Sequence, residues 1–105
     1  MDGDENGGYF IDESKNFQAD VRKLCAEIRV AHERIETIIN VVRLAVLRNP
    51  QNLQNVPNQP NMKFVFTMRV NRDGIQVPSL RVLIKINETE HRIELLALTS
   101  RDVRL

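Results

Sequence analysis

The sequence predicts an α+β fold: a long N-terminal coiled-coil-like helix followed by a three-stranded antiparallel β-meander. Three observations predict it. Residues 17–45 contain neither proline nor glycine, and their apolar residues recur at alternating gaps of four and three. A Pro- and Asn-rich segment, residues 49–61, carries no periodicity. Beyond it, three runs alternate apolar and polar residues with the period of two that marks half-buried strands. The boundaries that follow are 1–12, a disordered acidic tail; 13–48, the heptad-patterned helix; 49–62, a loop; and 63–105, a small β-module packed on the helix.

The tail is read from composition. Residues 1–14 hold five acids and no base, and the Gly/Asp/Asn-rich start has too little apolar surface to order itself. Asp12 or Ser14 can cap the first helical turn. The helix should stop at Asn49-Pro50, because a residue before proline leaves the helical region. Over 13–48 it would extend roughly 50 Å, well beyond the ~11–12 residues of a mean globular helix.

A stripe that long needs something to face. Its heptad a positions are Val21, Ile28, Ile35 and Val42, and Phe17, Leu24, Ala31 and Ile38 are d positions. β-Branched residues at every a position favour parallel two-stranded coiled coils. These eight residues form the expected association seam with a protein partner, as a homodimer or a heterodimer. Residues 38–47 are apolar nearly all round, so that half should also receive the β-module. The competing reading lays the helix across the chain's own sheet.

In the first strand the alternation places Phe64, Phe66, Met68 and Val70 on the buried face. The second strand contributes Leu80, Val82, Ile84 and Ile86, and the third Ile93, Leu95 and Ala97. The opposite face then holds Arg69, Arg81, Lys85 and Arg92 beside Leu83, Leu96 and Leu98. Arg81, Leu83, Leu96 and Leu98 are accordingly a candidate second contact face. Without an aromatic there to stack on bases, it argues for protein more than nucleic acid, which stays open as a ligand.

The chemistry-bearing residues are sparse. Cys25 is the single cysteine, so no internal disulfide forms. His32 and His91 stand apart from any His/Cys/Asp/Glu set at metal spacing. Neither glycine-rich phosphate loop nor nucleophile motif is found. No catalytic residue, cofactor or metal is expected, nor is an enzyme. A net charge of +1 pulls toward no polyanion. The acidic N-terminus lacks the features of a signal peptide, and no run reaches the ~20 apolar residues of a membrane span. An intracellular protein without membrane contact is expected.

Two resemblances stand beside this reading. Residues 78–102, PSLRVLIKINETEHRIELLALTSRD, resemble the last two strands of RelE/ParE-type toxins. That resemblance implies a small protein that cleaves ribosome-bound messages or poisons gyrase, with Arg81 and Arg101 the first residues to test. The chain departs from the family pattern by showing one unbroken helix instead of a strand and a helical pair. The second is architectural: a coiled-coil helix before MKFVFTMRV and a meander looks like the RWD-like subunits of chromosome-segregation assemblies. The sequence therefore favours a non-catalytic assembly subunit, with a RelE/ParE-like toxin or other small RNA-binding protein as the alternative.

Overall fold

The computed structural model describes residues 9–49, 53–72 and 74–100. The elements run β1 (Phe10–Glu13), α1 (Lys15–Ile28), α2 (His32–Arg48), β2 (Gln54–Val56), β3 (Gln59–Phe66), β4 (Val70–Arg72), β5 (Ile75–Val77), β6 (Leu80–Asn87) and β7 (Arg92–Ser100). Among the described residues five strands form one sheet in the order β1-β7-β6-β3-β2, and β4 pairs with β5 in a separate ribbon. β1 lies parallel to β7, and the remaining pairs are antiparallel.

The expected unbroken helix is corrected to two. Arg29 adopts a left-handed conformation (φ 57°, ψ 45°) and ends α1. The Val30 N–H then donates to the Cys25 carbonyl at 3.2 Å, the closing bond of a Schellman turn. α2 restarts at His32 behind Ala31, which offers no side-chain cap. A left-handed non-glycine residue costs roughly 1–2 kcal/mol, so local preference opposes this break. Burial favours it. An eight-residue strand spans only about 27 Å, and folding back at Arg29 lays both helices on one sheet.

The expected coiled coil is overturned by the same observation. Phe17, Val21, Leu24, Ile35 and Val42 are 0–6% exposed inside the chain's own core. Ile28 and Ile38 pack against that core half-buried, and Ala31 is exposed. After the break the buried residues are Ile35, Ile39, Val42 and Val46, a phase rotated off the heptad seam.

The expected three-stranded meander is corrected to five strands. β2 and the start of β3 come from the stretch read as loop 49–62, and β1 from the junction of the tail and the helix. β1 was hidden because its partner lies about 80 residues away. Phe10 sits beside Arg92 and Ile11 beside Ile93. Tyr9 stacks on His91 with centroids 5.3 Å apart, and Asp12 pairs with Arg92. Ser14 caps α1 by accepting from the Phe17 N–H at 3.0 Å while its hydroxyl donates to the Leu96 carbonyl. Asp20 accepts from the Leu98 N–H at 2.9 Å. α1 is thus fastened to β7 beyond the point where β1 ends.

Both helices cover one face of the sheet. The buried residues of α1, α2, β3, β5, β6 and β7 belong to a single cluster that includes Val65, Val82, Ile84, Ile86, Ile93 and Leu95. Residues 1–8, 50–52 and 101–105, which hold most of the expected tail, Pro50 and Arg101, lie outside the described residues.

Candidate nucleic-acid interface

The outer face of the sheet is set by the phase of each strand. β6 follows the expected phase: Leu80, Val82, Ile84 and Ile86 are buried, and Arg81 and Lys85 are exposed. β3 takes the opposite phase to the expected one. Lys63 and Val65 point inward at 8% and 6% exposure, while Phe64 is half-buried and Phe66 36% exposed on the outside. Met68 is 84% exposed. Inward placement of Lys63 is tolerated because its Nζ donates to Asn55 Oδ1, on the neighbouring strand at the sheet edge. A slip of one residue moves every side chain of a strand to the other face, and that slip delivers two phenylalanines to the outside.

β7 changes phase partway. Leu83 faces Ala97 and Ile84 faces Leu95, so Leu96 is an extra residue at a bulge. Ile93, Leu95 and Leu98 are all buried despite their uneven spacing. The four residues of the candidate second contact face are therefore divided. Arg81 and Leu83 lie on the outer face, Leu96 sits half-buried at the bulge, and Leu98 faces the core.

What gathers on the outer face is a basic and aromatic group. Phe66 is the cross-strand partner of Arg81, Phe64 of Leu83, and Met62 of Lys85. The Phe64 and Phe66 rings lie 6.0 Å apart at 42°. The Arg81 guanidinium carbon sits 5.0 Å from the Phe64 ring centroid, within cation–π range. Glu94 lies across from Lys85. Among the described residues neither Arg81 nor Lys85 has an ion-pair partner within 4 Å. A cation held over a ring, beside a second ring and a lysine, can meet both a base and a phosphate.

The other charged residues are otherwise engaged or placed. Arg92 pairs with Asp12 and approaches Glu90 at 3.6 Å. Arg43 pairs with Glu13 and lies 3.7 Å from Glu36, which also meets His32 at 3.2 Å. That group ties the end of β1 to α2. Arg69 leaves the sheet altogether, on the excursion between β3 and β6. Burial pushes the Cys25 thiol above its ordinary value of 9.0, which makes it a poor nucleophile. Among the described residues no group of three or more His, Cys, Asp or Glu side chains could hold a metal ion. No described helix is long and apolar enough to cross a membrane.

Alternation in "KFVF" reads equally well in either phase, so Phe64 and Phe66 could not be assigned outward from local sequence. Only the cross-strand partners decide it. The signal that was available is the arginine at position 81, whose outward phase in β6 is unambiguous.

No family model matches the chain, and no curated protein matches it in sequence. Solved structures do match in fold. The isolated Escherichia coli RelE toxin superposes with a TM-score of 0.57 at 13% identity, over 92% of this chain and 88% of that one. A chain of the intact E. coli RelBE toxin–antitoxin complex gives 0.56 at 13% identity, over 91% and 100%. The conserved hypothetical protein HP0892 of Helicobacter pylori gives 0.51 at 15% identity, over 89% and 94%. The fold is RelE-like. This corrects the expected non-catalytic assembly subunit, which required a helix seam between chains.

Proposed function

We propose that this chain is a RelE-like, RNA-directed toxin that takes single-stranded RNA on the outer face of its sheet. The observation that carries the reading is the Phe64, Phe66 and Arg81 group, which supplies the stacking surface that the sequence alone had not placed there. The two rings accept unstacked bases in a sequence-tolerant way, and Arg81 and Lys85 meet the phosphates between them. RNA cleavage is the activity implied by the resemblance to RelE-type toxins. In such a step Arg81 offsets the charge that builds on the phosphate under attack, and Glu94 is the carboxylate on the same face.

A protein partner accompanies the proposal. The RelE-like fold occurs in the RelBE toxin–antitoxin complex, and this supports a protein partner for the chain.

The test is incubation of the purified chain with a labelled single-stranded RNA, with binding and cleavage read separately. Cleavage that vanishes in Arg81→Ala, at an unchanged unfolding midpoint, supports the full reading. Binding without cleavage removes the enzymatic part. Absence of both removes the reading.

A further inference from the structure

β3 ends at Phe66, and the chain comes back into the sheet at Leu80, one residue before Arg81. Between these points it forms the β4–β5 ribbon, a separate two-stranded sheet. Strands of three residues make a marginal hairpin on their own. Phe66 and Arg81, the pair at this end of the β3–β6 ladder, therefore stand where a ladder frays most easily.

Two bonds close that end. The Thr67 N–H donates to the Leu80 carbonyl at 2.9 Å, and the Leu80 N–H donates to Thr67 Oγ1 at 2.9 Å. The first continues the ladder by one step. The second puts a side-chain oxygen where a regular ladder would use the Thr67 carbonyl. The strand can thus leave the sheet after Thr67 while the Leu80 amide keeps an acceptor.

Arg81 depends on this closure. Leu80 and Val82 are 0% and 1% exposed, so the core fixes β6 on both sides of Arg81. Across the ladder, Phe66 is held by buried Val65 on one side and by the Thr67 bonds on the other. The ring that Arg81 meets belongs to its diagonal neighbour Phe64, with the guanidinium carbon 5.0 Å from the centroid. Diagonal neighbours stand roughly 7–8 Å apart, so the contact is sensitive to how the two strands are set against each other. Loss of the hydroxyl would leave the partly buried Leu80 N–H without its acceptor. The ordered ladder would then retreat toward Val65–Val82. Threonine suits the place, because its branched Cβ restricts χ1 and with it the position of Oγ1.

We infer that Thr67 is a positioning residue of the outer face: its hydroxyl, by holding the Leu80 amide, sets Arg81 over the Phe64 ring and so in place for an RNA phosphate. This deepens the proposed function and rests on it for the identity of the ligand. The positioning of Arg81 itself does not depend on RNA.

The test uses the full chain in two arms. Thr67→Val keeps the branched shape and removes the hydroxyl, and Thr67→Ser keeps the hydroxyl. Thr67→Ala is a second hydroxyl-free variant in case the valine does not fold, and circular-dichroism melts check each one. The first arm needs no ligand. The Phe64 ring displaces the NMR signals of the Arg81 side-chain protons, and Phe64→Leu identifies that displacement by abolishing it. The displacement should collapse in a folded hydroxyl-free variant and persist in Thr67→Ser. A full displacement in a folded hydroxyl-free variant overturns the positioning role.

The second arm measures binding of a labelled single-stranded RNA by fluorescence anisotropy. Thr67→Val should bind roughly three- to tenfold more weakly than the wild type, the scale of one lost hydrogen bond. Thr67→Ser should restore the affinity. The double variant Thr67→Val/Arg81→Ala should bind no more weakly than Arg81→Ala, because Thr67 acts through Arg81. Losses that add in the double variant overturn the route through Arg81. If the wild type binds no RNA and the first arm gives its expected result, the RNA reading falls and the positioning of Arg81 stands.

Discussion

One face of the sheet carries Val82, Ile84, Ile86, Ile93 and Leu95 beneath two helices; the other carries Phe64, Phe66, Arg81 and Lys85 toward solvent. Both faces are built from the same three central strands. On the inner face identity is constrained by packing, and a missing methylene leaves a cavity. On the outer face the same backbone holds rings and cations that the core does not need. Packing and the proposed binding surface are therefore separable by residue parity in β3 and β6, and the neighbours Val65 and Phe66 lie on opposite faces.

The largest expected effect breaks the inner face. Leu95→Ala removes a side chain of 0% exposure and should cost about 2–5 kcal/mol, read as a lower midpoint in urea unfolding. A loss below ~1 kcal/mol would mean that the inner face is not the packed one. On the outer face Phe66→Ala should leave that midpoint nearly unchanged and weaken RNA binding by about 1–3 kcal/mol, read by fluorescence anisotropy. A stability loss as large as that of Leu95→Ala would erase the distinction between the faces.

Smaller effects sharpen the boundary. Ser14→Ala removes both the cap of α1 and a bond to the β7 bulge, and should cost about 1 kcal/mol in thermal unfolding. The smallest effect concerns Cys25. Its thiol is raised above 9.0 by burial, with a backbone hydrogen bond lowering it and Glu36 adding to the rise. The folded state therefore favours the neutral thiol. That contribution is present below the unfolded value and lost as pH climbs through the higher folded one. At pH 8 a disulfide reagent should react with the folded chain more slowly than with the chain in urea, and equal rates would contradict it.

The uneven legibility of the sequence follows the range of each signal. The inner stripe of α1 and the phase of β6 are written in local periodicity and could be read directly. The break at Arg29 was not legible, because no glycine or proline marks it and the four-three spacing continues through it. What forces the break is the length of the sheet, a property of residues 54–100. β1 was unreadable for the same reason, since Phe10–Glu13 becomes a strand only beside Arg92–Leu95. Of the candidate site, Arg81 was legible. Phe64 and Phe66 were assigned to the wrong face because their phase is fixed across strands.

The parallel pairing of β1 with β7 also sets a clock. Ser14 and Leu96 are 82 residues apart, and their bond cannot form until nearly all of the described chain exists. During synthesis both helices can emerge and coil locally, but their apolar stripes have no finished sheet to lie on. The surface that would act on RNA is likewise incomplete, because its arginine arrives with β6 and its sheet is closed only by the last strand. The pairing of Phe10–Glu13 with Arg92–Leu95 is thus among the last of the described contacts that synthesis can make available.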